Sequence, residues 1–295
     1  MSAFPDEPEH FLHWAKRNYD PSLQSRSFLP RAVFGRSIGA LLEQAIKAGG
    51  PQEVQMFRDE VQSLVSENES VGLQCKSGLS LQAKAVVIAT GNFPPATPKI
   101  PGLTESSKRY ASFAEAESTL EGLPQKGSVL LLGSGLTSLD LTMALKSGNF
   151  RGRIYIVSRH GLLPRRHEQL ALGPQFWDEY SPRTTRGLLR LIRDEARLAS
   201  ESGNDWRAVI DALRPATQKM WRSLPLDERR RFLRHLRSYW EVHRHRIAPE
   251  IADILADLIH EEQVRIYAGR ISRYQERPQP RKLAYAFVEL GVLAS

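Results

Sequence analysis

The spacing of apolar positions changes along the 295-residue chain, and each change predicts a different kind of structure. Near the start, apolar residues recur at helical spacing, first around Phe11 and Trp14 and then over residues 30–48. Short apolar runs separated by Asn, Ser and Gly follow between residues 53 and 91. These runs predict a small meander that leads into a buried strand over residues 85–89.

The next pattern is a strand–helix–strand unit. Apolar runs at residues 128–133 and 152–158 have strand character, and residues 136–147 between them have helical spacing. Residues from about 170 to 262 are predicted to be almost wholly helical, and a last strand fits residues 264–271. Strands that alternate with helices in this way indicate an α/β fold.

The strand–helix–strand unit carries a glycine-rich turn between its first strand and its helix. In dinucleotide-binding proteins the first glycine permits the tight turn, and the second lets the backbone approach a pyrophosphate at the helix N-terminus. A small third residue allows close packing of the helix on the strand. An ordinary turn of an α/β protein has the same pattern, so the motif alone leaves both interpretations open. The candidate cofactor-binding residues here are Gly133, Ser134, Gly135, Leu136, Thr137 and Ser138.

The second strand of the unit ends at Ser158 and Arg159, where such proteins contact the adenosine ribose. An acidic residue there would bind the ribose hydroxyls and favour NAD. Arg159 suits the 2′-phosphate of NADP instead, although a solvated loop arginine is the alternative. We therefore predict nucleotide binding with a preference for NADP.

A second candidate cofactor segment follows the predicted strand at residues 85–89. It reads Ala89, Thr90, Gly91 and Asn92, and its small residues let a planar cofactor or a crossing chain come close. Taken alone, it fits any strand that meets a glycine turn. Its place ahead of the second unit is typical of flavoproteins with two dinucleotide domains, in which such a strand ends the FAD domain.

Composition narrows the functional classes. Hydrophobic residues make up 41% and charged residues 25%, which is ordinary for a globular protein. No apolar run approaches the ~20 residues that span a bilayer, and the acidic, proline-bearing start is unlike a secretory signal. Cys75 is the only cysteine, which excludes an internal disulfide and a cysteine-based zinc cluster. We expect a cytoplasmic protein with no membrane association.

The net charge of +8 favours anionic partners, and seven arginines lie between residues 229 and 246. Arginines mixed with aromatics are one signature of nucleic-acid binding. The aromatics nevertheless fall on the apolar stripe of the helix, which favours a packed helix with a charged face, and no nucleic-acid partner is expected. His243 and His245, two residues apart, point to different helical faces, so no metal site is predicted.

Six separated stretches together resemble the FAD/NAD(P)-binding proteins related to flavin-dependent monooxygenases, which include bacterial enzymes that hydroxylate aspartate or urate. They occur in the order expected for that family and cover residues 1 to about 271. The stretches are MSAFPDEPEHFL, VVIATGNFPP, LLLGSGLTSLD, VSRHGLLPRRH, DWRAVIDALRP and RRRFLRHLRSYWEVHRHRIAPE.

The resemblance implies a flavoprotein of the type with two dinucleotide-binding domains. Residues 1–126 would be a partial FAD-binding domain without its first βαβ unit. Residues 127–271 would be a Rossmann-like NAD(P)-binding domain with a long helical insertion at about 170–262, and residues 272–295 stay unassigned. Met1 corresponds to an internal position of the family, and residues 272–295 do not resemble its continuation, so the resemblance implies a chain truncated at both ends.

The resemblance also implies FAD and NADP as cofactors, a small-molecule substrate and no catalytic side chain, because the flavin carries the chemistry. It suggests His243 and His245 as residues of a substrate pocket. No strand–glycine–helix unit precedes the predicted strand at residues 85–89, so we expect this chain to hold FAD weakly and to lack NADPH oxidase activity. A non-catalytic NADP-binding sensor and a basic nucleic-acid-binding protein are the alternatives.

Overall fold

The computed structural model divides the chain into two compact units, Met1–Phe93 and Pro94–Ser295. The residues that the structure describes are 2–49, 54–66, 69–91, 96–107, 109–112, 116–168, 170, 173–275 and 285–288.

The first unit contains two helices followed by a three-stranded antiparallel sheet, as the spacing of apolar residues predicts. The rings of Phe11 and Phe34 meet edge to face at 5.0 Å and join the two helices. The sheet is a meander in which each strand pairs with the next along the chain. The elements are α1 (His10–Asn18), α2 (Arg31–Gly49), β1 (Val61–Ser66), β2 (Val71–Cys75) and β3 (Ser80–Ala83).

The predicted buried strand at residues 85–89 is wrong for the described structure. Strand β3 ends at Ala83, and residues 85–91 have no strand assignment. Val87 is 89% exposed and Ile88 is 70% exposed. A strand needs a hydrogen-bonded neighbour, and no strand in the described part of the chain pairs with this segment, so Val87 and Ile88 lie largely in solvent.

A five-stranded parallel sheet forms the centre of the second unit, which confirms the predicted α/β class. Its strand order is β4-β8-β5-β6-β7. Strand β8 comes from the C-terminal region that the sequence left unassigned, and it lies between β4 and β5. The strands are β4 (Tyr110–Ala111), β5 (Ser128–Leu132), β6 (Arg153–Ser158), β7 (Val264–Ala268) and β8 (Tyr285–Val288).

Eight helices are described in the second unit, and six of them follow one another between β6 and β7. This helical region begins at Thr185, later than the predicted start near residue 170. None of the described helices is both long and apolar enough to cross a membrane. The helices are α3 (Ala116–Glu121), α4 (Leu136–Ser147), α5 (Thr185–Glu201), α6 (Trp206–Ala212), α7 (Thr217–Ser223), α8 (Leu226–His235), α9 (Arg237–Arg244) and α10 (Pro249–His260).

The main core surrounds strands β5 and β6. Val129, Leu131, Ile154 and Ile156 are almost fully buried, as expected for parallel strands covered on both faces. Buried leucines of α4 and α10 pack in the same cluster. Each fully buried aliphatic side chain contributes about 1.5–3 kcal/mol, so this cluster fixes the position of the strand ends.

A second core lies within the helical region, where a long-range cap joins two helices. The Thr185 backbone amide donates to the Glu228 carboxylate at 2.7 Å, and the Thr185 hydroxyl donates to the Glu228 carbonyl oxygen at 2.8 Å. Arg231 donates to the other carboxylate oxygen at 2.9 Å. The hydrogen bonds from Thr185 hold the pKa of Glu228 below its usual value. The carboxylate of α8 therefore satisfies an amide at the start of α5.

We expect the fold to lose stability in acid partly through Glu228. Its pKa is lowered in the folded state, so its contribution is present above the ordinary pKa of 4.5 and is lost as the pH falls below it. Glu228→Gln should make the melting temperature less dependent on pH below about 4.5. Thermal unfolding followed by circular dichroism between pH 7 and pH 3 tests this.

Glu201→Gln is the matched control, because Glu201 is exposed at the end of α5. It should retain the pH dependence of the unsubstituted chain. If both variants changed the dependence of the melting temperature on pH equally, the proposed role of the Thr185–Glu228 cap would be contradicted.

Candidate nucleotide-binding site

The strand order changes direction at β5. From β5 the chain passes outward to β6 and then to β7, whereas β8 lies on the opposite side of β5. Ligands of open parallel sheets bind outside the carboxyl ends of the strands, where the strand order changes direction. The glycine-rich turn directly follows β5 and therefore lies at this point.

The turn has the geometry that an anion-binding helix N-terminus needs. Gly133 has a φ of +114°, which strongly favours glycine, and its amide donates to the Val157 carbonyl oxygen at 2.8 Å. Gly135 is the N-cap residue of α4 in extended conformation and provides no side-chain cap. First-turn amides have no acceptor within their own helix, so those of Leu136 and Thr137 suit a phosphate.

Ser138 has a packing position in this turn. Its side chain is 1% exposed, and its hydroxyl donates to the Gly133 carbonyl oxygen at 2.9 Å. One turn later, the Thr142 hydroxyl donates to the Ser138 carbonyl oxygen at 2.8 Å. Ser138 thus lets α4 pack closely on the turn, and its hydroxyl is already used within the protein.

Serine hydroxyls bring the glycine turn and the end of β6 together. The Ser134 hydroxyl lies 2.7 Å from the Ser158 hydroxyl and 2.6 Å from the Leu162 carbonyl oxygen. The Gly161 amide donates to the Ser158 hydroxyl at 3.0 Å. The two loops that the sequence singles out are therefore joined by direct hydrogen bonds, and the Ser134 and Ser158 side chains fix this arrangement.

Gly161 and Leu162 are parts of the site that the sequence analysis missed. Gly161 has a φ of +61°, and a Cβ atom there would lie 3.3 Å from the Cβ of Ala268 on β7. The signal that could have found it is a glycine two residues after Arg159, where the chain must turn sharply beside the next strand.

Arg159 lies in the position that the sequence predicts, directly after β6. Its side chain is exposed, and no described residue forms a hydrogen bond or an ion pair with it. The ring of the adjacent His160 lies 5.7 Å from that of Tyr239 on α9. The guanidinium of Arg159 is therefore available to an anion, and the helical region approaches the same edge of the sheet.

A cluster of arginines surrounds one carboxylate in the helical region. Asp211 accepts hydrogen bonds from Arg214, at 2.8 Å, and from the buried Arg246. Burial lowers the pKa of His167, and the positive charge of Arg246 lowers it further. Burial also lowers the pKa of Arg244, followed by the charge of Arg214. This part of the protein thus carries an excess of positive charge.

The other candidate segment belongs to the first unit. Ala89 and Thr90 are exposed and lie outside any strand, and Gly91 has a φ of +69°. Asn92 lies outside the described residues. The structure thus gives Ala89, Thr90 and Gly91 no hydrogen-bonded sheet partner in the described part of the chain.

Many of the arginines on α8 and α9 are engaged within the protein. Arg231 pairs with Glu228, and Arg237 lies 3.7 Å from Glu241. Arg229 donates to two backbone carbonyl oxygens. Among the described residues no group of three His, Cys, Asp or Glu side chains is placed to hold a metal ion.

Comparison with known proteins agrees with the resemblance. Residues 1–93 match a family model described as FAD-NAD(P)-binding. A flavin-containing monooxygenase of Aspergillus flavus, ustF1, is 31% identical over 168 residues. The match covers 55% of this chain and 39% of that relative, so the chain corresponds to well under half of the fungal protein's length.

A similar fold is found in a solved monooxygenase structure. L-lysine 6-monooxygenase from Pseudomonas syringae matches with a TM-score of 0.50 and 17% sequence identity, over 81% of this chain and 54% of that protein. This likeness concerns the fold. Parts of the chain are therefore similar to an FAD-NAD(P)-binding family model and to a flavin-containing monooxygenase.

Proposed function

We propose that the turn between β5 and α4 binds the pyrophosphate of a nicotinamide dinucleotide. The observation that carries this proposal is the N-terminus of α4, which lies at the change of strand direction and is capped by a residue without a side chain. Backbone amides and the helix dipole there favour an anion. Gly133 and Gly135 leave room for the phosphates, and the Ser134–Ser158 hydrogen bond holds the ribose-contacting loop beside them.

We propose NADP as the preferred nucleotide. Arg159 follows the second strand of the unit, where the adenosine ribose is expected, and its guanidinium has no partner among the described residues. The 2′-phosphate of NADP would be such a partner, because it accepts charge-assisted hydrogen bonds from a guanidinium.

We further propose that the chain takes part in a flavin-dependent oxidoreductase reaction of the monooxygenase type on a small molecule. When bound, NADPH and FAD supply hydride transfer to the flavin and oxygen activation by the reduced flavin. In this proposal residues 127–271 form the NAD(P)-binding domain with its helical insertion, and residues 1–126 belong to the FAD-binding part with Ala89–Asn92 beside the flavin. The match of residues 1–93 to the FAD-NAD(P)-binding model supports the assignment of the first unit.

The described contacts of α8 and α9 support a packing role for three of their six arginines rather than a nucleic-acid surface. Three of the arginines there already bind carboxylates or carbonyl oxygens of the same chain. Phosphate contacts of a nucleic-acid-binding protein need free cations. We therefore propose a small-molecule substrate and no nucleic-acid partner.

Arg159→Ala should weaken the binding of NADPH by about ten-fold and leave the binding of NADH nearly unchanged. A charge-assisted contact contributes about 1.5–3 kcal/mol, and exposure of the side chain places this one at the low end. Calorimetric titration of both nucleotides measures the effect. Arg153→Ala is the control, because Arg153 is exposed at the opposite end of β6. Equal losses for NADPH and NADH would refute the assignment of Arg159.

Leu136→Pro should weaken the binding of NADPH and of NADH equally, by roughly ten-fold, because it removes one backbone amide N–H from the pyrophosphate site. Proline is tolerated at the first position of a helix, and the extended Gly135 before it is compatible with proline. Leu136→Ala keeps the amide while removing the same side-chain packing, so the difference between the two variants reports the amide. Equal affinities in the two variants would exclude a phosphate contact there.

We expect the 295-residue chain to purify colourless and to show no NADPH oxidase activity with added FAD. Among the described residues no strand other than β5 runs through a glycine turn into a helix, so FAD has no second pyrophosphate site. Absorbance in the flavin band after gel filtration with FAD tests this. If the unsubstituted chain bound stoichiometric FAD and Leu136→Pro abolished that binding, the flavin would occupy the turn at Gly133 instead.

A further inference from the structure

The helical region encloses a cavity of about 530 Å³ that the nucleotide proposal does not use. Helices α5, α6, α7, α8 and α9 all contribute to its wall. Its volume lies within the range of small-molecule sites, about 300–1,000 Å³. The wall is mainly apolar and rich in rings, which come from Trp206, Trp221, Phe232, Tyr239 and Trp240.

The rings are held by contacts outside the cavity as well as within it. Trp206 meets His243 edge to face at 4.8 Å, and the guanidinium of Arg207 lies 4.7 Å from the Trp206 ring centroid. Trp221 meets Phe232 in a similar way at 5.7 Å. Because these side chains are fixed in the protein, the cavity has a preformed flat-walled shape that suits an aromatic ligand.

Few polar groups face the cavity, and two of them are already used. The Thr185 hydroxyl donates to the Glu228 carbonyl oxygen, and the Thr217 hydroxyl donates to the Leu213 carbonyl oxygen. The Nδ1 atom of His243 lies 2.7 Å from the Tyr239 carbonyl oxygen and must donate to it. The polar side-chain groups of the wall without a hydrogen-bond partner among the described residues are the Nε2 atom of His243, the guanidinium of Arg193, the Tyr239 hydroxyl and the indole N–H groups of Trp206, Trp221 and Trp240; only Arg193 among them carries a fixed charge.

The charge carried by the cavity wall is positive. Arg193 lines the cavity, is exposed to solvent and forms no ion pair with any described residue, so it marks the opening of the cavity. No aspartate or glutamate is present among the described residues of the wall. A ligand amine would find no counter-charge there, whereas a carboxylate would find Arg193.

We propose that this cavity is a binding site for a small aromatic carboxylate, with the ring system among the tryptophans and the carboxylate at Arg193. Tyr239 connects the site to the sheet, because its ring also approaches His160 beside Arg159. The proposal does not depend on nucleotide binding, since the ligand is recognised by the helical region alone.

The test is calorimetric titration of the full chain, without nucleotide, with three probes that share one ring system. These are 4-biphenylacetate, 4-biphenylethanol and 4-biphenylethylamine. We expect the acetate to bind at least ten-fold more tightly than the amine, with the alcohol between them. Absence of acetate binding at millimolar concentration, or an amine that binds as tightly as the acetate, would overturn the proposal.

Two pairs of variants locate the probe. Arg193→Gln should weaken the binding of the acetate about five-fold and leave the binding of the alcohol unchanged. Arg190 lies on the same helix but outside the wall, so Arg190→Gln should change the binding of neither probe. Ala196→Phe should fill part of the cavity and weaken the binding of all three probes. Ala199 lies outside the wall, so Ala199→Phe should leave their binding unchanged. Circular dichroism verifies folding. If either pair behaves alike while folded, the probe binds elsewhere and the proposal fails.

Discussion

The parallel pairing of β5 with β6 and β8 is the interaction on which the rest of the second unit depends. Leu131 and Ile156 are fully buried on these neighbouring strands, so a shift of register would expose apolar surface and is opposed by several kcal/mol. The register in turn fixes where the two strands end. The glycine turn and Ser158 consequently meet at hydrogen-bond distance, and a loop arginine follows at a defined place.

The site is built mostly from backbone groups, with side chains in supporting roles. Ser138 and Ser134 use their hydroxyls to hold the turn, and Gly133 supplies a conformation that other residues rarely adopt. This division leaves amides and one arginine to recognise a nucleotide. A site of this kind selects its ligand by charge and shape, and the redox chemistry belongs to the cofactor.

The helical region adds a distinct environment beside the same edge of the sheet. Its aromatic side chains and unpaired Arg193 contrast with the backbone-lined turn at Gly133. His160 and Tyr239 provide the contact between the two. An oxidoreductase of the proposed type needs a nucleotide and a small molecule in one protein, and the second unit offers a candidate place for each.

Local sequence determined the elements whose stabilising contacts are close along the chain. The spacing of apolar residues determined α4, β5 and β6, and the glycine pattern determined the turn, because a short strand–helix–strand unit packs on itself. Only the tertiary structure decided whether a run with strand character becomes a strand. Val87 and Ile88 have that character yet lie exposed, whereas β8 enters the sheet from a region without a clear signal. A strand is completed by its neighbours, just as the cap at Thr185 is completed by a carboxylate 43 residues away, and no local pattern records such partners.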